Sequence, residues 1–372
     1  MIKIRAFAVH FPKPRREEDV RSFLESNFSK YCPLLIEVER ELKLDVFMNR
    51  VILPPINVLK AVFGEVDLND LSALLENYLE EYKMDIAAIP IERKYSYLKQ
   101  IPEILKETKR LYFSFNIGDL RNLPCLDLKE VVKLWRKIDR VAGQDAFTHL
   151  AFTYGSTPET PYFPATVSKR QGLSLSLLYA TQLRDAVESG KGLKEELSRS
   201  LRLAEEIGRD VAERINLEFL GVDSSVSPWM KDSVARLIET IINDKFGSPG
   251  THYAIFDLNK SINGLSKKIR TVGFNEVMLP LAEDNQLKRA VEDGRIGLRD
   301  FVSYIFVCVS GLDMVPIPNE TSDFKLIRMI RDALVAGCIK GKTVGIRVIL
   351  AEAKPGERIN LTGFGNVPVL SI

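Results

Sequence analysis

Strand-like and helix-like hydrophobic patterns alternate from end to end of the 372-residue chain. Apolar runs and period-two alternation predict about ten strands. These are Lys3–Phe11, Val46–Leu53, Ile86–Ile91, Leu111–Ile117, Phe147–Tyr154, Leu217–Asp223, Val272–Leu281, Leu312–Ile317, Val344–Leu350 and Phe364–Leu370. Helical patterns separate most of the strands, and this order is typical of a mainly parallel sheet with helices on its outside. The pattern therefore predicts an α/β unit built around a large sheet or barrel.

Several of the predicted helices carry one apolar face, with hydrophobic residues recurring at spacings of three and four. The clearest covers 193–215, where the opposite face carries Lys, Arg and Glu. Similar stripes predict helices at 71–79, 234–242 and 324–338. We expect these helices to pack on one side only.

The least patterned region is 155–172, where Pro, Gly, Ser and Thr collect. A loop of this length on an α/β scaffold is a lid over a site, a junction between two halves or a plain connection, and all three interpretations stay open. The domain count also stays open, because ~150 residues per domain suggests two domains whereas closed α/β barrels hold 250 or more residues in one.

Charge is high but balanced, with 52 Lys and Arg against 50 Asp and Glu. Such a chain has no net field to hold a polyanion or an anionic membrane, which argues against nucleic acid and membrane partners. The charged fraction of 27% suits the ion-pair networks of a thermophile, as a compositional hint.

The cysteines and the termini indicate a reducing compartment. The four cysteines lie far apart without a CxxC motif, so neither a zinc site nor a disulfide framework is expected: Cys32, Cys125, Cys308 and Cys338. The N-terminus reads as a strand rather than a signal peptide. The longest uncharged apolar stretch, Phe301 to Leu312, is too short to span a bilayer. We expect a cytoplasmic protein.

No Ser-His-Asp order, HExxH, P-loop or GxGxxG motif is present, so candidate chemistry rests on polar residues at the ends of apolar strands. The first group follows the strand at 217–222, where Asp223 and Ser224 enter a turn. Asp223 is placed to ligate a cation or orient a base, but Asp-Ser-Ser is also ordinary turn and capping chemistry. Both interpretations stay open.

A second group is the turn at 247–252, which opens onto a helix. Backbone N–H groups, Thr251 and His252 would gather there at a positive helix end and form an anion site. The alternative is an N-cap made by Thr251 with His252 on the surface. The remaining histidines, His10 and His149, are expected to be structural.

Further candidates are acidic. Glu283 and Asp284 follow the predicted strand at 272–281, where adjacent carboxylates would hold Mg²⁺ or Ca²⁺, act as an acid/base pair, or favour a helix first turn. Asp313 lies inside an otherwise apolar strand, and a carboxylate there needs a partner to offset its desolvation.

Neutral and basic candidates complete the set. Asn116 lies between apolar neighbours and would orient a ligand or satisfy core backbone. Arg93 follows the strand at 86–91 and would bind a phosphate or carboxylate, or simply be exposed. Asn275 is a further candidate ligand-binding amide.

The chain resembles a known family in a series of motifs that occur in the right order. They are Phe115–Gly118, Val222–Ser225, Lys231–Arg236, Gly250–His252, Phe274–Pro280 with Glu283 and Asp284, Gly311–Pro318, Lys342-Thr343 with Arg347, and Gly363–Val369. These motifs are similar to those of the domain-of-unknown-function 711 proteins, which are grouped with the pyruvate formate-lyase-like barrels. The similarity is close over 205–372 and looser before it. It implies a closed ten-stranded α/β barrel of two five-stranded halves, at about 1–190 and 191–372, with the helices outside.

Relatives in that superfamily use a glycyl radical, and the resemblance does not extend to this chemistry. Such enzymes need an Arg-Val-x-Gly-aromatic loop near the C-terminus and a cysteine in the barrel centre. Here Gly363-Phe364 follows Leu361-Thr362, and Cys308 lies in an apolar run where a buried, inert thiol is expected. The region 160–175 is also shorter and less glycine-rich than in the family. No glycyl radical is expected.

Two functions follow. The first is a non-radical enzyme that binds a small anionic metabolite in the barrel mouth, with Asp223, His252 and Asp313 as catalytic groups. Its ligand-binding residues would be Asn116, Arg93, Ser224, Thr251 and Asn275, and its divalent-cation ligands would be Glu283 and Asp284. The second is a ligand-binding or regulatory barrel without catalysis. A homo-oligomer is compatible with either.

Overall fold

The computed structural model describes residues 2–92, 95–120 and 127–372, and within them the chain forms eleven strands, twelve α-helices and three short 3-10 helices. The strands are β1 Lys3–His10, β2 Asn49–Ile52, β3 Ile86–Glu92, β4 Leu111–Gly118, β5 Leu150–Tyr154, β6 Gly172–Leu178, β7 Phe219–Asp223, β8 Leu312–Pro318, β9 Val344–Ala351, β10 Arg358–Leu361 and β11 Gly365–Pro368. The helices are α1 Val20–Glu41, α2 Ile56–Phe63, α3 Leu68–Glu81, α4 Ile101–Glu107, α5 Leu128–Val141, α6 Ala180–Glu188, α7 Leu193–Arg214, α8 Val234–Ile242, α9 Thr251–Ser266, α10 Asn285–Glu292, α11 Leu298–Tyr304 and α12 Asp323–Lys340.

Nine strands form one large sheet in the order β7-β6-β1-β2-β3-β4-β5-β9-β8. Pairing is parallel from β1 to β5, between β6 and β7 and between β8 and β9. The two joins, β1 with β6 and β5 with β9, are antiparallel. The result is a large, mostly parallel sheet with helices around it, which confirms the α/β prediction.

The closed ten-stranded barrel is not found in the described part of the chain, because the pairing does not return from β8 to β7. The predicted strand at 272–281 is wrong: this segment is irregular. Gly273 and Asn275 have positive φ, and the N–H groups of Phe274 and Asn275 donate to the carboxylate of Asp223. N–H groups that donate to a side chain are not available to pair with a neighbouring strand, so a regular strand does not form here.

The irregular segment nevertheless lies beside β7 and the turn that precedes β8. The N–H of Val272 donates to the carbonyl of Val222 at 3.1 Å, on one side. The N–H of Val309 donates to the carbonyl of Val277 at 3.2 Å, on the other. The segment therefore lies between β7 and the turn before β8 without being a regular strand.

Two other strand predictions need correction. β6 was not predicted, although its sequence GLSLSLL alternates, because the segment adjoins the Pro- and Gly-rich region. The strand predicted at 364–370 is present as the shorter β11, but within the described ranges it pairs with β10 in a separate hairpin and does not join the large sheet. Several other predicted strands are shorter in the structure, such as β2.

The loop 155–171 packs across the ends of the strands instead of covering them from outside. Ser168 Oγ donates to the carbonyl of Phe11, and Ser168 N–H donates to the carbonyl of Leu53. Ser114 Oγ on β4 donates to the carbonyl of Thr166. The loop thus joins β5 to β6 and also fills the space beside the strand ends.

The helices with strong apolar stripes are where the sequence predicts them. The 193–215 pattern is α7, which buries Leu197, Leu201 and Val211 against β6 and β7. α3 and α8 match the stripes at 71–79 and 234–242. α12 is a helix where 324–338 predicts one, but it buries Leu326, Met329 and Ile330 and leaves Phe324 and Cys338 exposed. No described helix is long and apolar enough to cross a membrane.

The contact between α7 and β7 depends on a glycine. A Cβ atom at Gly208 would overlap the ring of Phe219 and the side chain of Leu175. Gly208→Ala should lower the free energy of unfolding by about 1–3 kcal/mol, because the packed core cannot yield to the added methyl. Denaturant titration followed by circular dichroism measures this.

Gly264 on α9 is the matched control, since nothing lies within 4 Å of the position a Cβ would take there. Gly264→Ala should stabilise the protein by up to about 1 kcal/mol, the helix-propensity difference. Equal effects of the two substitutions would contradict the packing argument.

Candidate functional site

A cavity of about 100 Å³ lies beside the amino-terminal parts of β1–β5, between the loop 155–171 and the irregular segment before α10. Among the described residues, its charged lining consists of three arginines and two carboxylates. They are Arg5 on β1, Arg50 on β2, Arg347 on β9, Asp313 on β8 and Glu283. Five chain-distant segments therefore bring their charges to one buried space.

Strand irregularities turn two of these side chains toward the cavity. The β1–β6 ladder shifts register between Ile4 and Ala6, at Arg5. The β8–β9 ladder shifts between Asp313 and Val315, where Met314 has φ +56°. A bulge re-aims a side chain, and a non-glycine residue with positive φ is strained.

Glu283 is the centre of an ion-pair network. Its Oε2 accepts from Arg5 Nη2 at 2.7 Å, and its Oε1 accepts from Arg347 Nη2 at 2.9 Å. Arg347 Nε also donates to Asp313 Oδ1 at 2.6 Å. All four side chains are buried or nearly so, and Asp313 is the most open at 16% exposure.

Arg50 stands apart from this network. Its residue is 4% exposed, and it forms no ion pair with a described carboxylate. Nη1 donates to the carbonyl of Pro161 at 2.5 Å, Nη2 contacts Met48 Sδ at 3.8 Å, and the buried Nε has no partner within the described ranges. The guanidinium also lies 5.1 Å from the ring centroid of Phe163. Arg50 is therefore a buried cation without a carboxylate in direct contact in the described structure, and Glu283 acts on it only at longer range.

Burial and charge shift the pKa of each group. Burial raises the pKa of Glu283, but Arg5 and Arg347 outweigh it and hold the pKa below the usual value. Burial raises the pKa of Asp313, and Arg347 only partly opposes it. Burial lowers the pKa of Arg50 to about 10, so this group stays cationic at neutral pH.

Seven aromatic residues contribute to the rest of the described wall. The described lining includes Phe47, Tyr112, Tyr162, Phe163, Trp229, Phe274 and Phe364. The guanidinium of Arg5 lies 5.6 Å from the ring centroid of Tyr162 and 5.5 Å from that of Trp229. The cavity therefore combines buried cations with flat apolar surfaces, an arrangement that favours cation–π contacts.

Of the residues predicted as site residues, Asp313 and Glu283 lie in this cavity and Asp223 does not. Asp223 is fully buried and accepts five hydrogen bonds. The donors are Thr160 Oγ1, Ser225 Oγ, and the N–H groups of Ser225, Phe274 and Asn275, at 2.6–3.1 Å. Burial still raises the pKa of Asp223. This geometry favours the structural interpretation, in which Asp223 ties the loop 155–171 to the irregular segment.

Ser224 and Asn275 belong to the same hydrogen-bonded group around Asp223, which we call the Asp223 hub. Asn275 Oδ1 accepts from both the N–H and the Oγ of Ser224, at 3.1 and 2.8 Å. Asn275 Nδ2 donates to the carbonyl of Gly273. Neither residue lines the arginine cavity.

Glu283 and Asp284 are adjacent in sequence but have separate partners. Asp284 caps α10, accepting from the N–H groups of Gln286 and Leu287, and it also accepts from Ser233 Oγ and the N–H of Ala235 at the start of α8. The two carboxylates thus engage different groups, and their role as divalent-cation ligands stays a prediction. No group of three or more His, Cys, Asp or Glu that would hold a metal occurs in the described structure.

The turn at 247–252 is also distant from the cavity lining. Gly250, not Thr251, is the N-cap of α9, and Thr251 Oγ1 donates to the carbonyl of Ser248. His252 is exposed, stacks on Tyr304 at 4.7 Å and bonds Ser303 Oγ at 2.8 Å. The surface interpretation of His252 fits this arrangement.

Asn116 and Arg93 complete the predicted set. Asn116 Nδ2 donates to the carbonyl of Gly155 at 2.6 Å and its Oδ1 accepts from the N–H of Gly118, so the amide satisfies backbone at the end of β4. Arg93 lies outside the described residues.

The two structural histidines pack as predicted. His10 is buried, with Nε2 2.8 Å from Ser174 Oγ, and burial lowers its pKa to about 3. His149 Nδ1 donates to the carbonyl of Leu111 at 3.0 Å, and its ring stacks on Tyr112 at 4.3 Å.

Sequence reasoning missed the arginines of the cavity, although a usable signal exists. Arg5, Arg50 and Arg347 each interrupt an apolar strand, in IRAFAV, NRVIL and GIRVIL. The desolvation argument that singled out Asp313 applies equally to a cation in such a position. Applied to both signs of charge, it would have found four of the five charged lining residues.

The hydrogen bonds to Asp223 predict a large effect of its removal on the free energy of unfolding. Asp223→Ala should lower the free energy of unfolding by about 3 kcal/mol or more, because several buried donors lose their acceptor. Chemical denaturation measures the change. Asp210→Ala is the control, since Asp210 is an exposed partner of Arg214 on α7 and should change stability by less than about 1 kcal/mol. A fully stable Asp223→Ala protein would contradict the structural role.

Comparisons with known proteins identify relatives over nearly the whole chain. Residues 8–362 match the family described as "Uncharacterised ACR (DUF711)". A "UPF0210 protein" of Lactococcus lactis subsp. cremoris (strain SK11) is 26% identical over 366 residues, covering 90% of this chain and 81% of the relative. A "UPF0210 protein" of Lactobacillus helveticus (strain DPC 4571) has the same identity and coverage.

Among solved structures, an "Anaerobic ribonucleotide reductase" aligns with 98% of this chain and 74% of its own at 11% identity and a TM-score of 0.39. The family match covers most of the arginine cavity as well as the Asp223 hub. The chain belongs to the DUF711 family.

Proposed function

We propose that the chain is an enzyme without radical chemistry, which binds a small anionic metabolite in the arginine cavity. The observation that carries this proposal is Arg50, a buried guanidinium without a carboxylate partner among the described residues. An uncompensated buried charge costs several kcal/mol. A bound anion would offset that cost, so the charge fits a ligand site better than a purely structural role.

The enclosure of the ligand is part of the proposal. Segment 270–284 completes a ring with β7 and β8, in place of a tenth regular strand. The hydrogen bonds from Val272 to Val222 and from Val309 to Val277 support this closure. The ring would then consist of β1–β5 in one half and β6, β7, segment 270–284, β8 and β9 in the other.

Asp313 is the proposed acid/base group. It lines the cavity, and Arg347 engages only its Oδ1, while Oδ2 makes no hydrogen bond to the described residues. Burial raises its pKa, so its protonation begins at a higher pH than for an ordinary Asp. A carboxyl group positioned in this way transfers protons as a general acid or base. Arg347 and Glu283 fix the position of the carboxylate relative to Arg50.

The second candidate is a binding barrel without turnover. Two of the three cavity arginines already have carboxylate partners, and such a paired network is compatible with a rigid ligand-binding site. Turnover of a bound ligand separates the two functions.

Anion binding is tested by thermal unfolding with chloride, acetate, methanesulfonate and inorganic phosphate. A ligand at 100 times its Kd adds about 2.7 kcal/mol of stability. At least one anion should raise the unfolding midpoint of the native protein and fail to do so for Arg50→Met. Arg209→Met, at an exposed position on α7, is the matched control and should respond like the native protein. Equal shifts in Arg50→Met would contradict the proposal.

The raised pKa of Asp313 predicts that the affinity of the cavity for anions depends on pH. Methanesulfonate is the probe, because its own charge does not change over the pH range used. The pKa of Asp313 is raised, so its protonation begins at a higher pH than for an ordinary Asp; the groups facing it are Arg347, Glu283 and Arg5. Protonation removes a negative charge from the cavity, so affinity should rise as pH falls through that pKa. Asp313→Asn should flatten this dependence.

Asp313→Asn should also retain anion binding and lower turnover of any substrate by about 10²–10⁴-fold, the usual contribution of general acid–base catalysis. Calorimetric titration at several pH values measures the binding. An unchanged pH profile in the variant would remove Asp313 from the proposal, and unchanged turnover would favour the binding barrel.

A further inference from the structure

We infer that the ligand of the arginine cavity carries a single negative charge on a flat, apolar body, which is the chemistry of a small monocarboxylate. This inference rests on the proposed function, namely that the cavity binds an anion. The geometry adds the number of charges and the nature of the remaining surface.

The charge number follows from the described lining. Glu283 uses one oxygen on Arg5 and the other on Arg347, and Asp313 uses one oxygen on Arg347. Three guanidinium groups against two carboxylates leave one positive charge in excess among the described residues. The excess is located at Arg50, which has no such partner there.

The other titratable lining groups do not change this count. Burial raises the pKa of Tyr112 and that of Tyr162, so both hydroxyls are neutral at physiological pH. Neither a lysine nor a histidine is among the described lining residues. One anionic group therefore neutralises the cavity, whereas a second would be buried without a counter-charge. Such a burial costs several kcal/mol.

The apolar body follows from the walls next to Arg50. Its guanidinium lies 5.1 Å from the ring centroid of Phe163, and Phe163 is in edge contact with Tyr112 at 5.8 Å. Trp229 closes another side between Phe47, at 4.9 Å, and Phe364, at 5.6 Å. Ring faces of this kind favour planar, apolar groups. A volume of about 100 Å³ limits the body to a small group.

The Tyr112 hydroxyl supplies a second polar contact. It borders the cavity and makes no hydrogen bond to the described residues. A carboxylate has two oxygens, and each accepts hydrogen bonds. Arg50 and the Tyr112 hydroxyl can both donate to it, and Ser227 Oγ and Arg5 Nε are further lining donors without a partner among the described residues. Arg347 and the Nη2 of Arg5 already bind protein carboxylates.

The test is a matched ligand series in chloride-free buffer at neutral pH: benzoate, isophthalate, benzamide and acetate. They present one charge on a ring, two charges, no charge, and one charge without a ring. Calorimetry gives the affinities, and fluorescence locates the binding. The chain has two tryptophans, of which Trp229 lines the cavity while Trp135 lies in the core. Benzoate should bind the native protein at least tenfold more tightly than each of the other three.

Two variants should shift this selectivity in opposite directions. Arg50→Met removes the excess charge and should abolish the advantage of benzoate over benzamide. Asp313→Asn raises the excess to two and should increase the affinity for isophthalate relative to benzoate by about tenfold. A merely structural role of either residue would not produce opposite shifts. If a variant does not fold, the ligand series on the native protein still decides the question.

The contrary outcomes are distinct. Isophthalate binding as tightly as benzoate would overturn the single charge, and acetate or chloride binding as tightly would overturn the apolar body. Phosphate binding that depends on Arg50, without binding of any carboxylate, would overturn this inference and leave the proposed function standing. If neither these ligands nor chloride or phosphate bind, the proposed function fails as well.

Discussion

The bridge that Glu283 makes between Arg5 and Arg347 is the interaction on which the cavity depends. It joins β1, β9 and the turn before α10, through contacts that span 278 and 64 positions in sequence. A buried ion pair contributes little net stability, yet removal of one partner costs about 3–5 kcal/mol, because the other charge is then left buried alone. The network therefore fixes the relative positions of the strand ends more than it raises stability.

This constraint explains why the sheet is irregular where the polar side chains lie. Regular alternation places Phe7 and Val9 of β1 in the main core, and a register shift is needed to direct Arg5 elsewhere. On β8 the backbone of Met314, next to Asp313, adopts a left-handed conformation where the side chain of Asp313 turns toward the cavity. Strain of about 1–3 kcal/mol at such a position persists only when the surroundings over-determine it. The ion pairs and the packed strands hold these residues in the strained conformation.

The sequence could predict what is local and periodic. The stripe of α7 and the apolar runs of β3, β4 and β9 arise from residues within one element, and the structure confirms them. Segment 272–281 has the same apolar character, but Asp223, some 50 positions earlier, takes its backbone donors. The apolar pattern of the segment alone does not reveal that a distant carboxylate competes with a neighbouring strand for these N–H groups. β6 is the opposite case, because it is a strand that the sequence pattern did not predict. Serines alternate with leucines along it, and Ser174 bonds to His10 of the neighbouring strand β1.

The candidate site divides in the same way. Asp313 and Asp223 look alike in sequence, each a carboxylate at an apolar strand. Their difference lies in distant partners: Asp223 receives donors from Thr160 and the irregular segment, whereas Asp313 shares one guanidinium with Glu283 and keeps an oxygen toward the cavity. Only the assembled fold separates a satisfied carboxylate from an available one.

The position of Arg50 links the charge of the cavity to the loop 155–171. Its strongest protein contact is the carbonyl of Pro161, and Phe163 of the same loop lies under the guanidinium. A carbonyl dipole only partly compensates a full buried charge, so the loop holds the cation in place without neutralising it. The same segment thus shapes the aromatic wall and preserves the unpaired charge. Because both properties depend on one loop, a change in its path would alter the size of the cavity and its charge balance together.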